Sequence, residues 1–310
     1  MDMEINKKRY RDLDSYLKLK FKKKILKLPI DGGFTCPNRD GTLGKSGCIY
    51  CSARGSGEWT FAKLSIKEQI NRQKIKLSQR GREEGYLAYF QNFTSTYGSL
   101  ERMRTLFYEA LDEEKVVGLF LATRADCLDD EVVDLLDKLN QRTFLVVELG
   151  MQSINEGTIS LIQRGYSHED FDRGLARLRS RGIRTLVHVI VGLPYEGMDD
   201  YLRDISYING RGIWGIKIHN LYLEKSSKFL RYFEENHLAY TMTKDEYVNI
   251  CVEMLRHLSK EVVVNRLTGD GVREKIAYPD WSKNKAGILS SIDKQMKEND
   301  YRQGDLCQEN

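Results

Sequence analysis

The sequence predicts an α/β fold, a partial (βα)6 barrel, TIM-like, of parallel strands with a C-terminal α-rich extension. Three observations carry this. Short runs rich in β-branched and apolar residues recur along the first 220 residues, as strands covered on both faces should. Amphipathic helical stretches separate them. Beyond about residue 220 the alternation stops. Repeated β-then-α units imply parallel strands joined by right-handed crossovers, and six units fall short of the eight that close a full barrel.

The expected strands are Lys24–Ile30, Tyr86–Gln91, Val116–Thr123, Thr143–Leu149, Arg184–Val191 and Ile213–His219. Ser65 and Glu68 form a capping box that opens a helix after the first strand. Asp129–Asn140 and Asp170–Arg181 carry apolar residues at helical spacing, and the second stops before Gly182. A helix over Lys244–Ser259, an apolar run at Glu261–Val264 and a last helix near Asn284–Lys297 make the extension. This divides the chain into a basic segment (1–23), a core (24–220) and a cap (221–310). In such folds chemistry gathers at the C-terminal ends of the strands.

The chain has 310 residues, 41% hydrophobic and 30% charged, which suits a globular core. No apolar run reaches the roughly 18 residues of a membrane span, and the N-terminus lacks the apolar stretch of a secretory signal. A cytoplasmic location is therefore expected, where thiols stay reduced and six cysteines point to metal or chemistry rather than disulfides. Net charge is only +4, but Lys18, Lys20, Lys22, Lys23, Lys24 and Lys27 crowd one segment, preceded by Lys7, Lys8, Arg9 and Arg11. Such a patch suits a phosphate backbone, and Lys22, Lys23 and Lys24 are its candidate contacts; a solvated helix face is the alternative.

Cys36, Cys48 and Cys51 sit in the run CPNRDGTLGKSGCIYC, directly after the first strand. Three thiolates can hold three irons of a [4Fe–4S] cluster and leave the fourth open to a ligand. Pro37, Gly41, Gly44 and Gly47 let the loop curl. Zinc is the rival, but structural zinc needs a fourth Cys or His at short spacing, and the next histidine is His168. An accidental Cys-x-x-Cys in a surface turn is the other alternative. Cys127, after the third strand, reads as a buried inert thiol, with a thiol facing the cavity as the alternative; Cys251, on a helical face, and Cys307, in a polar tail, do not read as ligands.

The run KLPIDGGFTCPNRDGTLGKSGCIYC resembles the cluster loop of the radical S-adenosylmethionine (SAM) superfamily. More narrowly it is similar to the branch named for bacterial YhcC and YtqA (the YtqA side is also called MnmL), related to the elongator catalytic subunit. AYFQNFTSTYG, GLFLATRADCL, VVELGMQS, HVIVGLPYE, GIKIHNLYL and NRLTGDG extend the likeness over nearly the whole chain, and CSARGSG resembles the YtqA side in particular. No counterpart of the elongator acetyltransferase domain is found, so acetyl-CoA chemistry is not expected.

The resemblance implies that Cys36, Cys48 and Cys51 hold the cluster and that its open iron chelates the amino and carboxylate groups of SAM. One electron, from a donor such as flavodoxin or ferredoxin, then cleaves SAM to a 5′-deoxyadenosyl radical. It also implies cofactor contacts. Gln91 and Thr94 end the second strand, where the SAM amino group lies in this superfamily. Thr123 and Arg124 end the third. Arg164, in LIQRG, resembles an arginine that binds the SAM carboxylate, with a surface helix charge as the alternative. Gly192 and Leu193 resemble an adenine-contacting turn. The Tyr50 backbone reaches the adenine, or its side chain packs. Glu148, an acid in an apolar strand, needs a partner: a SAM ribose hydroxyl, helped by Gln152, or a structural salt bridge.

Lys217 and His219 alternate on the last strand and suit an anionic substrate group, while His188 and His219 read first as satisfied core residues. Arg266 and Asp270 in NRLTGDG read as partners of each other, with contact to substrate as the alternative. The branch resemblance implies tRNA wobble-uridine maturation: 5-carboxymethylaminomethyl(-2-thio)uridine is converted to 5-aminomethyl(-2-thio)uridine, which a methyltransferase completes. The alternatives are a radical SAM enzyme acting on a small metabolite or protein, and a non-catalytic iron–sulfur RNA-binding protein.

Overall fold

The computed structural model describes residues 8–55, 57–78 and 85–308. Lys7 of the basic segment lies outside them. Six strands stand where the periodicity places them, to within three residues: β1 (Ile25–Ile30), β2 (Gly85–Phe90), β3 (Val116–Thr123), β4 (Phe144–Gln152), β5 (Arg184–Val191) and β6 (Gly215–Asn220). A two-residue strand, β7 (Leu223–Glu224), pairs antiparallel with β9 (Ile276–Tyr278) as a separate ribbon. β8 (Val263–Arg266) joins the main sheet, whose order is β1-β2-β3-β4-β5-β6-β8. The main sheet is parallel, so the α/β half-barrel expectation holds. The seventh strand differs from the sequence reading. Its Val263-Val264 run is only four residues long with its flanks, too short to stand out from a cap by pattern alone.

The helices are α1 (Leu13–Phe21), α2 (Ile66–Ser78), α3 (Leu100–Leu111), α4 (Asp130–Arg142), α5 (Glu156–Leu161), α6 (His168–Ser180), α7 (Met198–Gly210), α8 (Lys228–Glu235), α9 (Lys244–His257) and α10 (Lys285–Glu298). Local sequence explains their starts. Ser65 and Glu68 exchange hydrogen bonds ahead of α2. Asp129 caps α4 through the Val132 amide, and Ser167 with Asp170 boxes α6. α4 then buries Val132, Val133, Leu135, Leu136 and Leu139, which is why its apolar spacing was readable.

By contacts the chain forms two compact units. One comprises residues 16–150 and 164–186. Here β1 to β4 pair in register, from Ile25 beside Gly85 to Thr123 beside Leu149. Lys27 on β1 and Glu148 on β4 meet at 2.8 Å although two strands lie between them. Three strand spacings span about 14 Å in a flat sheet, so this stretch is strongly curled. The Tyr16 and Phe21 rings of α1 pack at 6.3 and 5.6 Å from Phe144, the first residue of β4.

The other unit comprises residues 1–15, 151–163 and 187–310. Here α9 buries Tyr247, Val248, Cys251, Val252, Met254 and Leu255 and packs on α7 and α10. The N-terminal strip is stitched to β8: Asp12 bridges Val264, and the Val264 amide donates to the Arg11 carbonyl at 2.8 Å. Gln303 accepts from the Arg11 amide and donates to the Ser259 and Val262 carbonyls. No helix among the described residues is long and apolar enough to cross a membrane.

Candidate active site

The three-cysteine loop leaves the C-terminal end of β1. Its entrance is clamped by side chains. The Asp31 carboxylate accepts from the Gly33 amide at 2.7 Å and from Asn92 Nδ2 at 2.7 Å. Gln69, fully buried on α2, accepts from the Asp31 amide and donates to its carbonyl. Inside the loop the Cys36 carbonyl accepts from the Arg39 and Asp40 amides, and the Pro37 carbonyl from those of Leu43 and Gly44. Gly47 adopts φ +70°, a region open to glycine, just before Cys48. Arg39 reaches the carbonyls of Cys51 and Ser52 at 3.1 and 2.6 Å and so ties the loop's two halves.

The three thiols form one electrostatic group. Burial pushes the Cys51 thiol up to about 12, with repulsion from Cys48 and Cys36 adding to it and Arg39 opposing. Burial also raises Cys48, opposed by its hydrogen bond with Tyr50, by Arg124 and by Asn38. Among the described residues no three His, Cys, Asp or Glu side chains stand where they could hold a single metal ion. A cluster distributes its thiolates over separate irons. Three thiols from one braced loop fit that donor set.

Arg164 comes to the cysteines through its backbone. Its carbonyl accepts from Asn38 Nδ2 at 3.4 Å and Arg124 Nη1 at 2.8 Å, and the Cys48 Sγ lies 3.8 Å away. Its guanidinium is buried over the Tyr166 ring at 4.3 Å, not on a surface helix as the alternative reading had it. Arg124 lies over the same ring at 4.6 Å and grips Asp126 with two hydrogen bonds of 2.9 and 2.7 Å. Thr94 Oγ1 is buried without a partner, so it can still take or give a hydrogen bond to a ligand. Gln91 follows β2, its amide on the Ile30 carbonyl at 3.3 Å. Thr123 Oγ1 is 2.5 Å from Thr96 Oγ1, which donates on to the Cys127 carbonyl.

Glu148 has the salt bridge: one oxygen takes Lys27 Nζ at 2.8 Å, the other the Tyr89 hydroxyl at 2.7 Å. Tyr50 places its hydroxyl on Cys48. The lysines at 22, 23 and 24 precede β1, whereas the cysteine loop follows it. Six residues of strand hold the two about 20 Å apart, so these lysines stand at the opposite end of β1 from the cysteines.

In the other unit, Gln152 ends β4 in the left-handed region (φ +59°), a strained setting for a non-glycine residue. Gly192 has φ +100°, and a Cβ there would sit 3.3 Å from the Tyr240 hydroxyl. Residues 192–196, with Phe233 and the 238–242 segment, line a cavity of about 220 Å³. Burial raises Glu196 at its rim, opposed by a hydrogen bond from Ser153. Lys217 is buried, and the His188 and His219 rings lie 5.3 Å apart. Arg266 pairs with Asp270 at 3.2 Å as expected, and Lys285 joins them. Sequence reasoning missed Asp31, Asn38, Arg39, Gln69, Asn92, Asp126 and Tyr166. Only the position of Asn38 and Arg39 between two cysteines marked any of them.

A family model for the radical SAM superfamily matches residues 36–208, and one for the radical SAM C-terminal domain matches residues 213–298. The YtqA protein of Bacillus subtilis is 38% identical over 302 residues, covering 97% of this chain and 94% of YtqA. The tRNA uridine(34) acetyltransferase of Dehalococcoides mccartyi is 33% identical over 98 residues, 31% of this chain and 20% of its own. In fold, the Methanocaldococcus infernus Elp3 structure superposes with a TM-score of 0.66 at 15% identity, over 91% of this chain; this chain spans 64% of that one. The superfamily's cofactors are a [4Fe–4S] cluster and SAM. The chain belongs to the radical SAM superfamily, among the YtqA- and YhcC-like members.

Proposed function

We propose that this protein is a cytoplasmic tRNA-modifying radical SAM enzyme that converts 5-carboxymethylaminomethyl(-2-thio)uridine at the wobble position to the 5-aminomethyl form. The observation that carries the reading is the braced loop that brings Cys36, Cys48 and Cys51 beside Arg164, Arg124 and Tyr166 at the C-terminal end of the strands. Bound together, the cluster and SAM supply a carbon radical strong enough to remove a hydrogen atom from the glycine-derived methylene. The chain's residues do the positioning. Asn38 and Arg39 hold the loop, and Arg164, Thr94 and Gln91 bind the charged end of SAM. The substrate then loses one electron to a carrier of the flavodoxin or ferredoxin class, and water hydrolyses the resulting imine to the amine and glyoxylate.

The tRNA substrate is supported by the stretch shared with a tRNA uridine(34) acetyltransferase and by the lysine-rich start of the chain. Lys22, Lys23 and Lys24 stand too far from the cysteine loop to touch the reacting base, so their part is the phosphate backbone. The test is anaerobic reconstitution with SAM, a reductant and undermodified tRNA, followed by nucleoside mass spectrometry. The expected result is loss of the carboxymethylaminomethyl nucleoside and gain of the aminomethyl one. Unchanged amounts of both, with 5′-deoxyadenosine still produced, would move the substrate to a small molecule or protein. Without any 5′-deoxyadenosine, the cluster is structural.

A further inference from the structure

We propose that the loop following Cys51 is a grip for single-stranded RNA, in which the Trp59 ring stacks an unpaired base and Arg54, Lys63 and Arg72 hold its phosphates. The inference rests on the tRNA reading above and deepens it by naming the surface that meets the anticodon loop.

The loop lies in the same unit as the cysteines and is braced from three sides. Arg39 of the cysteine loop donates to the Ala53 carbonyl at 3.4 Å. Buried Asn92, just past β2, donates to Thr60 Oγ1 at 3.1 Å and to the Asp31 carboxylate at 2.7 Å, so the residue beside Trp59 is tied to the entrance of the cysteine loop. From α2, Gln73 donates to the Trp59 carbonyl at 3.2 Å. Gly57 permits the close approach: a Cβ there would fall 1.8 Å from Asn92 Nδ2. The backbone under Trp59 is thus fixed at the C-terminal end of β1 and β2, the end that carries Cys36, Cys48 and Cys51.

Trp59 is 46% exposed on this fixed backbone, although an indole is large and mostly buried in folded proteins. Cations accompany it. Arg54 and Lys63 are exposed and pair with no acid among the described residues. Arg72 of α2 reaches over the Phe61 ring at 5.7 Å, two residues from Trp59. Between Cys51 and α2 the chain holds a single acid, Glu58. An exposed aromatic ring among cations has the chemistry of a strand-binding surface, because every base has a face to stack and every nucleotide a phosphate to pair. An acidic peptide matches the cations and leaves the ring idle. A wobble base reaches a reactive centre only after leaving its stack, so a platform beside that centre takes up a neighbouring base that has lost its stacking partner. Lys22, Lys23 and Lys24 stand at the other end of β1 and cannot perform this part.

The experiment measures binding of the cluster-loaded protein to a labelled anticodon stem-loop RNA and to a blunt RNA duplex of equal charge, by fluorescence anisotropy across a salt series. Trp59→Ala should weaken the stem-loop about 5–150-fold, the range of one base stacked on an aromatic ring, and leave the duplex unchanged. Trp59→Phe should keep most of the affinity and lose the quenching of indole emission that the stem-loop causes in the wild-type protein. Arg54→Gln and Lys63→Gln should each flatten the slope of log K against log salt by about 0.7, one phosphate apiece. Trp59→Ala with wild-type affinity overturns the proposal. So does equal weakening for stem-loop and duplex, or a wild-type dimer that Trp59→Ala dissociates, which would make the ring a contact between copies. Should Trp59→Ala not load its cluster, an unchanged quench in Trp59→Phe together with unchanged slopes in the two cation variants overturns it instead. A wild-type protein that binds neither RNA refutes the tRNA reading itself, and that control needs no variant.

Discussion

Lys27 and Glu148 offer a sharp test of what holds the curled sheet. Glu148 is fully buried, and both its oxygens are engaged, by Lys27 Nζ at 2.8 Å and the Tyr89 hydroxyl at 2.7 Å. The Lys27 ammonium also stands 4.0 and 3.9 Å from the Tyr89 and Phe120 ring centres. Lys27→Met removes the cation and leaves a buried carboxylate that has lost its Lys27 counter-ion. Breaking such a pair costs about 3–5 kcal/mol. The lower end applies here, since Tyr89 remains and the Lys27 side chain is 19% exposed. With about 2–4 °C per kcal/mol for a chain of this size, the melting temperature should fall by roughly 6–12 °C. The double variant Lys27→Met with Glu148→Leu should recover most of the loss, because nothing charged is then left buried. Thermal denaturation of all three proteins, with Glu148→Gln, reads this directly. A Lys27→Met loss under about 1 kcal/mol, or a double variant no better than the single, refutes the reasoning. SAM affinity should be unchanged in Glu148→Gln; a large loss there would return Glu148 to the ribose.

Replacing any one of Cys36, Cys48 or Cys51 with alanine should abolish iron and sulfide uptake, read as visible absorbance and iron content, while the apoprotein's circular dichroism stays unchanged. Gly192→Ala meets φ +100° and a Cβ 3.3 Å from the Tyr240 hydroxyl; it should cost about 1–3 kcal/mol and weaken SAM binding, measured by calorimetry. Asp204 is buried, and burial, with Glu196 and Asp200 adding, holds its carboxyl well above the ordinary value of 3.8 despite the Ile154 amide. An acid raised on folding contributes stability below its unfolded value and loses it as pH rises through the folded value. Denaturant midpoints should therefore fall as pH climbs from about 4, and Asp204→Asn should flatten that slope; parallel slopes for the two proteins would contradict it.

The strands were legible because continuous apolar, β-branched runs announce strands covered on both faces. β3 and β5 lie where the periodicity placed them, to the residue. β8 was hidden because four residues carry too little pattern to separate a strand from a cap. The cysteines were readable because thiolate chemistry needs particular atoms at particular spacing. Asn38 and Arg39 were not, since their work is bonding carbonyls and a neighbouring thiol, which no spacing encodes. The lysine patch shows a different gap. Residues that precede a parallel strand lie at the end away from its C-terminal loop, so the separation of Lys22–Lys24 from Cys36 was implicit in chain order, while charge density drew attention to binding alone.

One peptide oxygen near the cysteines has an evolutionary consequence. The Arg164 carbonyl receives Asn38 and Arg124 and neighbours the Cys48 sulfur. Side-chain replacement at 164 leaves that oxygen in place, so a mutational scan reads the guanidinium and is blind to the junction. The position that polices it is next door, where Gly165 turns with φ +80° against Asn38. Change at 165 therefore strikes the junction itself, whereas change at 164 strikes only the guanidinium.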